Sequence, residues 1–382
     1  MSAAASRAVC DWLAAHRGEM MALLEAAVNI DSGSSHKAGA DRVAALMERF
    51  LEDAGLVTRR HVLATHGDCI LAELGGRGPG HVLLLGHMDT VFPPGTAAQR
   101  PFTVKGEMAH GPGVADMKAG IVMNAFVARA FAQIAPGGPP IHVLFTGDEE
   151  VASPASRQIT LERAQGARAV FNAEPGRPTG NVVTGRKGAF FIDFEVKGVA
   201  AHSGVNPYKG ASAIEEIARK VVELQALNNP DSGISANVGT IQGGMTVNTV
   251  ADHARAQLDV RYPGKVDRAA LHAQILDIIQ RHGIKNTHAH VTHEGVFFPL
   301  EPSPEGLDLL ARYQASAATL DMKVDGEFTG GSADSGLTAS VGAPTLCATG
   351  PVGGDVHTDR EWMRVDSIVP RAQALALTIL GL

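Results

Sequence analysis

Short apolar runs alternate with stretches of helical period through the first half of the chain. His81–Leu85, Ile141–Thr146 and Ala169–Ala173 are rich in Val, Leu, Ile and Phe, and each predicts a strand. Gly39–Ala54 and Met117–Ile134 predict helices. In the second, Ile121, Phe126, Val127, Ala130, Phe131 and Ile134 recur near helical spacing. Strands alternating with helices imply βαβ units and a mainly parallel sheet.

Residues 185–295 have a different texture. Ala189–Lys197 alternates apolar and polar positions, and Ser235–Thr240 and Ala254–Tyr262 are further predicted strands. Helices are expected over Ala211–Leu227 and Arg268–His282. A β-α-β-β-α-β order over this span predicts a ferredoxin-like α+β domain. After Pro299 the α/β texture returns, with a helix near Leu307–Leu320 and a strand at Pro344–Ala348. The expected architecture is one α/β domain built from residues 1–184 and 296–382, with a second domain, 185–295, inserted.

Composition narrows the function classes. At 382 residues the chain fits two domains, and 45% hydrophobic against 19% charged residues supports a large core. The net charge of −7 and the lack of a long basic run speak against a nucleic-acid partner. No apolar stretch reaches the roughly 18 residues of a membrane span. Asp11 and His16 interrupt the opening segment, which therefore does not read as a signal peptide. The three cysteines, Cys10, Cys69 and Cys347, are dispersed, so neither a disulfide framework nor a thiolate metal site is expected. These features fit a cytoplasmic enzyme.

The candidate chemistry sits where the predicted strands end. VLLLG leads to His87-Met88-Asp89, IHVLFTG to Asp148-Glu149-Glu150, and AVFNA to Glu174. PTLCATG leads into a glycine-rich loop that carries His357, and Asp116 sits in GPGVAD at the start of the Met117 helix. Carboxyl ends of parallel strands gather ligand-binding groups, so these five segments are expected to converge. Asp116, Glu150 and Glu174 would repel one another without a cation. Imidazoles and carboxylates suit zinc, and two histidines with three carboxylates can hold two ions if one carboxylate bridges. No G-x-S-x-G elbow is present, which speaks against a serine hydrolase.

The series HMDT, GVADMKAG, TGDEE, NAEP and GGDVHTD, in this order, resembles the M20 family of metallopeptidases, and within it the glutamate carboxypeptidase (carboxypeptidase G2-like) branch. The resemblance implies a zinc-hydrolase catalytic domain with an inserted dimerisation or lid domain. It implies two Zn2+ per chain, replaceable by Co2+ or Mn2+: His87, Asp116 and Glu174 on one, Asp116, Glu150 and His357 on the other, with a cis peptide between Asp116 and Met117. Glu149 would be the general base, and the Asp89 carboxylate would hydrogen-bond the His87 ring. In the inserted domain, His202 of VAAHSG would reach the active site of the partner in a homodimer. Asn248 and Arg261 would contact substrate, Arg261 through a carboxylate, and Gly330 and Gly331 of TGGSADSG would line the pocket. The apolar faces of Ala189–Lys197 and Ala211–Leu227 are the expected dimer surfaces. The implied reaction is hydrolysis of a peptide or N-acyl amide next to a free carboxylate. An aminoacylase or a succinyl-diaminopimelate desuccinylase-like amidohydrolase is the alternative. Where the branch carries a basic residue after the third carboxylate this chain has Asn181, with Arg177, Arg186 and Lys187 as the cations that could replace it.

Overall fold

In the computed structural model, which describes residues 3–382, the apolar runs become neighbouring strands. The strands before the inserted segment are β1 (Val57–His61), β2 (Gly67–Leu74), β3 (Val82–His87), β4 (Thr103–Lys105), β5 (Met108–His110), β6 (Ile141–Gly147), β7 (Ala169–Asn172) and β8 (Val182–Arg186). The next four are β9 (Gly188–Lys197), β10 (Ser235–Gly243), β11 (His253–Tyr262) and β12 (His288–Phe297). The last four are β13 (Gly326–Thr329), β14 (Thr345–Cys347), β15 (Gly353–Gly354) and β16 (Trp362–Arg364).

The chain divides into two compact units. One comprises the chain through Gly185 together with Leu300–Thr329 and Ala333–Leu382, and the other Arg186–Pro299 with Gly330–Ser332. The first holds a sheet in the order β1-β2-β6-β3-β7-β14-β8-β13. Its centre, β6, β3, β7 and β14, is parallel. Antiparallel β2 flanks it on one side and antiparallel β8 on the other. Every residue of β3 and β7 is buried, which explains why these strands read as continuous apolar runs instead of alternating ones.

Helix Ala119–Ile134 lies in the core of this unit and is buried almost all round, from Ala119 through Ala128 without a break. Its start falls after Met117, because Asp116 and Met117 have non-helical backbone angles inside a tight turn, Val114–Lys118. Helix Pro304–Ala318 begins earlier than its apolar spacing indicates. Ser303 caps it, accepting from Gly306 N at 2.9 Å, and Pro304 occupies the first turn. A small antiparallel sheet, β15-β16-β5-β4, ties residues near 108 to residues near 363. Its strands of two or three residues are too short to leave a periodic signal. No described helix is long and apolar enough to cross a membrane.

The second unit runs β9, helix Ala213–Gln225, β10, β11, helix Arg268–Gln280, β12. Its sheet order, β10-β11-β9-β12, is antiparallel throughout, which is the ferredoxin-like arrangement. Phe190, Ile192, Phe194 and Val196 of β9 are buried with Ile217, Leu224, Leu271 and Ile275 of the two helices. This corrects the expectation that the apolar face of Ala189–Lys197 is a dimer surface. β9 is paired on both edges, and its apolar side is already used inside its own unit. On helix Ala213–Gln225 the outward apolar residues are Ile214 and Val222. The strand β12 is hard to read from sequence because His288, His290 and His293 occupy its polar positions, opposite Lys197, Glu195 and Asp193.

One close approach links the fold to the site. A Cβ on Gly120 would stand 1.9 Å from the carbonyl oxygen of Ala173, the residue before Glu174. Glycine therefore lets the helix start lie directly against the end of β7. Gly120→Ala is expected to destabilise the protein by about 1–3 kcal/mol through overpacking. Urea denaturation reads this, and an unchanged midpoint would show that the strand end yields freely.

Candidate metal centre

The parallel strands deliver their ligands to one edge. His87 is the last residue of β3, Glu149 and Glu150 lie in the short turn after β6, and Glu174 lies just past β7. His357 follows β15 with a left-handed backbone, φ 63°. Asp116 precedes the core helix, and its peptide bond to Met117 is cis, as the resemblance implies.

Asp116 is the shared member. Its Oδ1 lies 3.2 Å from His87 Nε2 and its Oδ2 lies 3.4 Å from His357 Nε2. Glu174 Oε1 is 3.8 Å from His87 Nε2, and Glu150 Oε2 is 3.2 Å from His357 Nε2. Two groups that could each hold a metal ion result: His87, Asp116 and Glu174, and Asp116, Glu150 and His357. His87 is buried, whereas the His357 side chain is half exposed.

The electrostatics favour cations. Burial opposes charge on His87, yet Glu149, Asp116 and Asp89 raise its pKa well above the ordinary histidine range. Hydrogen bonds to Asp116 and Glu150 push His357 up to about 10. Burial works against ionised Asp116, but His357 and His87 hold it below the usual carboxylate range. Glu150 Oε1 is buried and has no hydrogen-bond partner. An orphaned carboxylate oxygen beside two imidazoles and two further carboxylates is a donor set that suits divalent metal. Glu149 differs. Burial raises its pKa well above the ordinary value, with Glu174, Asp334 and Glu150 adding to the rise and His87 opposing it. It stands 3.8 Å from His87 Nε2 and belongs to neither group.

Asp89 faces His87 and also meets other partners. The His87 Nδ1 atom lies 3.0 Å from the Asp89 main-chain oxygen, while the Asp89 carboxylate stays 3.5 Å away. Three further donors reach the same carboxylate: Ser34 Oγ at 2.6 Å, Glu149 N at 3.1 Å and Glu150 N at 3.2 Å. Asp89 thus binds the turn that carries Glu149 and Glu150. Asp148 is turned inward and accepts from Ala155 N at 2.8 Å and Ser156 N at 3.1 Å. Glu361 was not singled out from the sequence. It is buried and accepts three N–H groups of the Asp116 turn. Its signal is faint, an acidic residue shortly after GGDVHTD.

The remaining candidates, His202, Asn248, Arg261, Gly330 and Gly331, fall in the second unit. His202 is exposed, and its Nδ1 accepts from Gly204 N at 3.1 Å. The main-chain oxygen of Asn248 accepts from Ser203 N at 3.0 Å, bringing the two loops side by side. Arg261 donates to Asp259 through Nε at 2.7 Å and Nη2 at 2.9 Å, and through Nη1 to Ser332 Oγ at 3.1 Å. The cations considered in place of Asn181 are engaged within the chain. Arg177 Nε donates to Glu327 at 3.3 Å, Arg186 to the Gly331 and Ser332 carbonyls, and Lys187 to the Gly233 carbonyl. Asn181 itself donates to Glu327 at 2.7 Å.

Comparison with known proteins agrees with this geometry. Residues 83–381 match the family model described as peptidase family M20/M25/M40. Carboxypeptidase G2 of Pseudomonas sp. (strain RS-16) is 29% identical over 371 residues, covering 94% of this chain and 88% of its own. A succinyl-diaminopimelate desuccinylase of Stenotrophomonas maltophilia (strain R551-3) is 29% identical over 313 residues, 77% of this chain and 81% of its own. In fold, the M20 family metallo-carboxypeptidase Sso-CP2 from Sulfolobus solfataricus superposes with a TM-score of 0.78 at 17% identity, covering 95% of this chain and 99% of that one. The match over most of the chain, together with the site at the strand ends, makes this protein a hydrolase that belongs to peptidase family M20/M25/M40.

Proposed function

We propose that this enzyme is a dinuclear zinc hydrolase that cuts a peptide or N-acyl amide bond beside a free carboxylate, releasing a C-terminal amino acid. The observation that carries the reading is Asp116, with one oxygen toward His87 and the other toward His357. His87, Asp116 and Glu174 would hold one zinc and Asp116, Glu150 and His357 the other, with Co2+ or Mn2+ able to substitute. Ions held there would supply Lewis-acid chemistry, polarising the scissile carbonyl and lowering the pKa of the attacking water.

The chain's own groups do the rest. Glu149 takes the water's proton and hands it to the leaving amine, and its raised proton affinity suits that transfer. Asp89 keeps the spacing of base and ligand constant by holding both N–H groups of their turn. Arg261, oriented by Asp259 and Ser332, grips the substrate carboxylate, Asn248 contacts the substrate, and Gly330 and Gly331 line the pocket through their backbone. The His202 Nδ1 is an acceptor, so its Nε2 carries the proton and can donate to the oxyanion. We assign that donor to the partner's site in a homodimer formed through the second unit. Exposed Ile214, Val222 and Ile241, the last on edge strand β10, support such a surface.

The second reading is an aminoacylase or desuccinylase-like amidohydrolase. Its support is the engagement of Arg177 and Asn181 by Glu327, which leaves that loop little to offer a substrate's side-chain carboxylate. A panel of C-terminal peptides, N-acyl amino acids and succinylated diamino acids, read by amine release, separates the two. Equal cleavage of C-terminal carboxylates and carboxamides would sink both.

Elemental analysis is expected to find two zinc per chain, and chelation to abolish activity until metal is restored. A fully active enzyme with one equivalent or none would defeat the dinuclear reading.

Glu149→Gln should keep both ions, because Glu149 is not a ligand, and should lower kcat by at least about 10²–10⁴-fold. Near-normal turnover would show that another group handles the proton.

His202→Ala should slow turnover by about 10²–10³-fold with zinc retained. Mixed with Glu149→Gln, it tests the shared site. Half of randomly re-associated twofold dimers are mixed and each has one complete site, so about a quarter of wild-type activity should return. No recovery, despite demonstrated subunit exchange, would remove His202 from the partner's site.

A further inference from the structure

The proposed reaction leaves the buried acid Glu361 without a role. Glu361 is 1% exposed, and its carboxylate points into the turn that carries Asp116. Its Oε2 accepts from Gly113 N at 3.0 Å, and its Oε1 accepts from Ala115 N and Asp116 N, both at 2.9 Å. Successive main-chain N–H groups that converge in this way form an anion nest, and here the occupant is a side chain from the far end of the sequence.

The clamp is itself anchored. The Glu361 main-chain oxygen lies 3.0 Å from His110 Nδ1, and the next residue, Trp362, pairs with His110 in the small sheet. Glu361 also closes the loop that bears His357, its N–H donating to Thr358 O at 3.4 Å. Other restraints act on the Asp116 turn: Val114 N donates to Gly111 O at 3.2 Å, Lys118 Nζ donates to Ile30 O at 2.9 Å, and Val114, Ala115 and Met117 are buried. Gly113 has a left-handed φ of 72°, and Lys118 N bonds back to Gly113 O at 2.9 Å. The direction of the Asp116 side chain follows from the orientation of this backbone, and Asp116 must face two histidines at once.

We propose that Glu361 is the positioning residue of the bridging carboxylate: by gathering the N–H groups of Gly113, Ala115 and Asp116 it aims Asp116 between His87 and His357, and from the His357 loop it sets both halves of the second metal group together. This rests on the dinuclear reading above. Glu361 belongs to neither group that could hold a metal ion, so it acts through Asp116.

The test uses metal binding by the full chain. Glu361→Gln keeps the volume but turns an amide NH2 toward N–H donors, and Glu361→Asp keeps two acceptor oxygens but withdraws them by a methylene. Each metal-free protein is titrated with Co2+, following the visible absorption of the bound ion, with circular dichroism and melting temperature measured alongside. The wild-type chain should take up two equivalents. Glu361→Gln should bind cobalt about 10–100-fold more weakly and with an altered spectrum, the usual loss when a group that orients a ligand is removed. Glu361→Asp should fall between the two.

A merely structural role would lower the melting temperature while leaving cobalt affinity and spectrum at wild-type values, and that result overturns the proposal. If Glu361→Gln does not fold, unchanged cobalt binding in folded Glu361→Asp overturns it equally. A wild-type chain that takes up no cobalt would remove the dinuclear reading and this proposal together. Two equivalents bound alike by wild type and Glu361→Gln would remove this proposal alone.

Discussion

Asp116 has to present one oxygen to His87 and the other to His357, and the first unit is arranged around that demand. The residue belongs to no strand of the central sheet. It sits in a five-residue turn whose backbone departs from helical angles, so regular secondary structure does not aim it. Its surroundings do so instead. Strand β3 fixes His87 on one side, and the small sheet brings the His357 loop to the other. The core helix beginning at Ala119 is pressed against the end of β7 through Gly120.

The same arrangement crowds carboxylates that water would otherwise solvate. Glu149, Glu174 and Asp89 are all nearly inaccessible, and Glu150 Oε1 has no hydrogen-bond partner. Burying ionised carboxylates is costly unless hydrogen bonds or cations compensate. The fold divides the compensation. Asp89 and Asp148 are satisfied by hydroxyl and main-chain N–H donors and become part of the scaffold. Asp116, Glu150 and Glu174 are left facing imidazoles and one another, which makes them a place for positive charge. Neighbours in sequence are sorted in this way: Asp148 turns inward, Glu149 keeps a high proton affinity, and Glu150 faces His357.

The parallel strands were legible because burial on both faces forces uninterrupted apolar runs, and a run that ends in His or Glu points to the ligand-bearing edge. The ferredoxin-like order of the second unit was legible from the alternation in Ala189–Lys197 and Ala254–Tyr262, whose apolar positions face the two helices. Other features left no such trace. Strands of two or three residues cannot show a period, so the small sheet was invisible, and Glu361 with it. The further partners of the Asp89 carboxylate were not legible from its adjacency to His87. The donors that capture it, Ser34 and the 149–150 backbone, are distant in sequence. The apolar face of β9 was offered to a partner subunit because sequence does not tell an inner sheet face from an outer one.

The residues able to hold metal and the residues proposed to meet substrate lie on different parts of the chain. The two groups able to hold metal lie wholly in the first unit, whereas His202, Asn248 and Arg261 lie in the second. Even within the first unit the loop after Glu174 is decoupled from the centre. Arg177 Nε, Thr179 Oγ1 and Asn181 Nδ2 each donate to Glu327, which places an acid beside that cation. Arg261 is treated differently. Asp259 holds two of its nitrogens and Ser332 a third, yet the contact with Asp259 runs along the Nε–Nη2 edge alone. The guanidinium is thereby held in one orientation, with its carbon 4.8 Å from the Phe191 ring centroid.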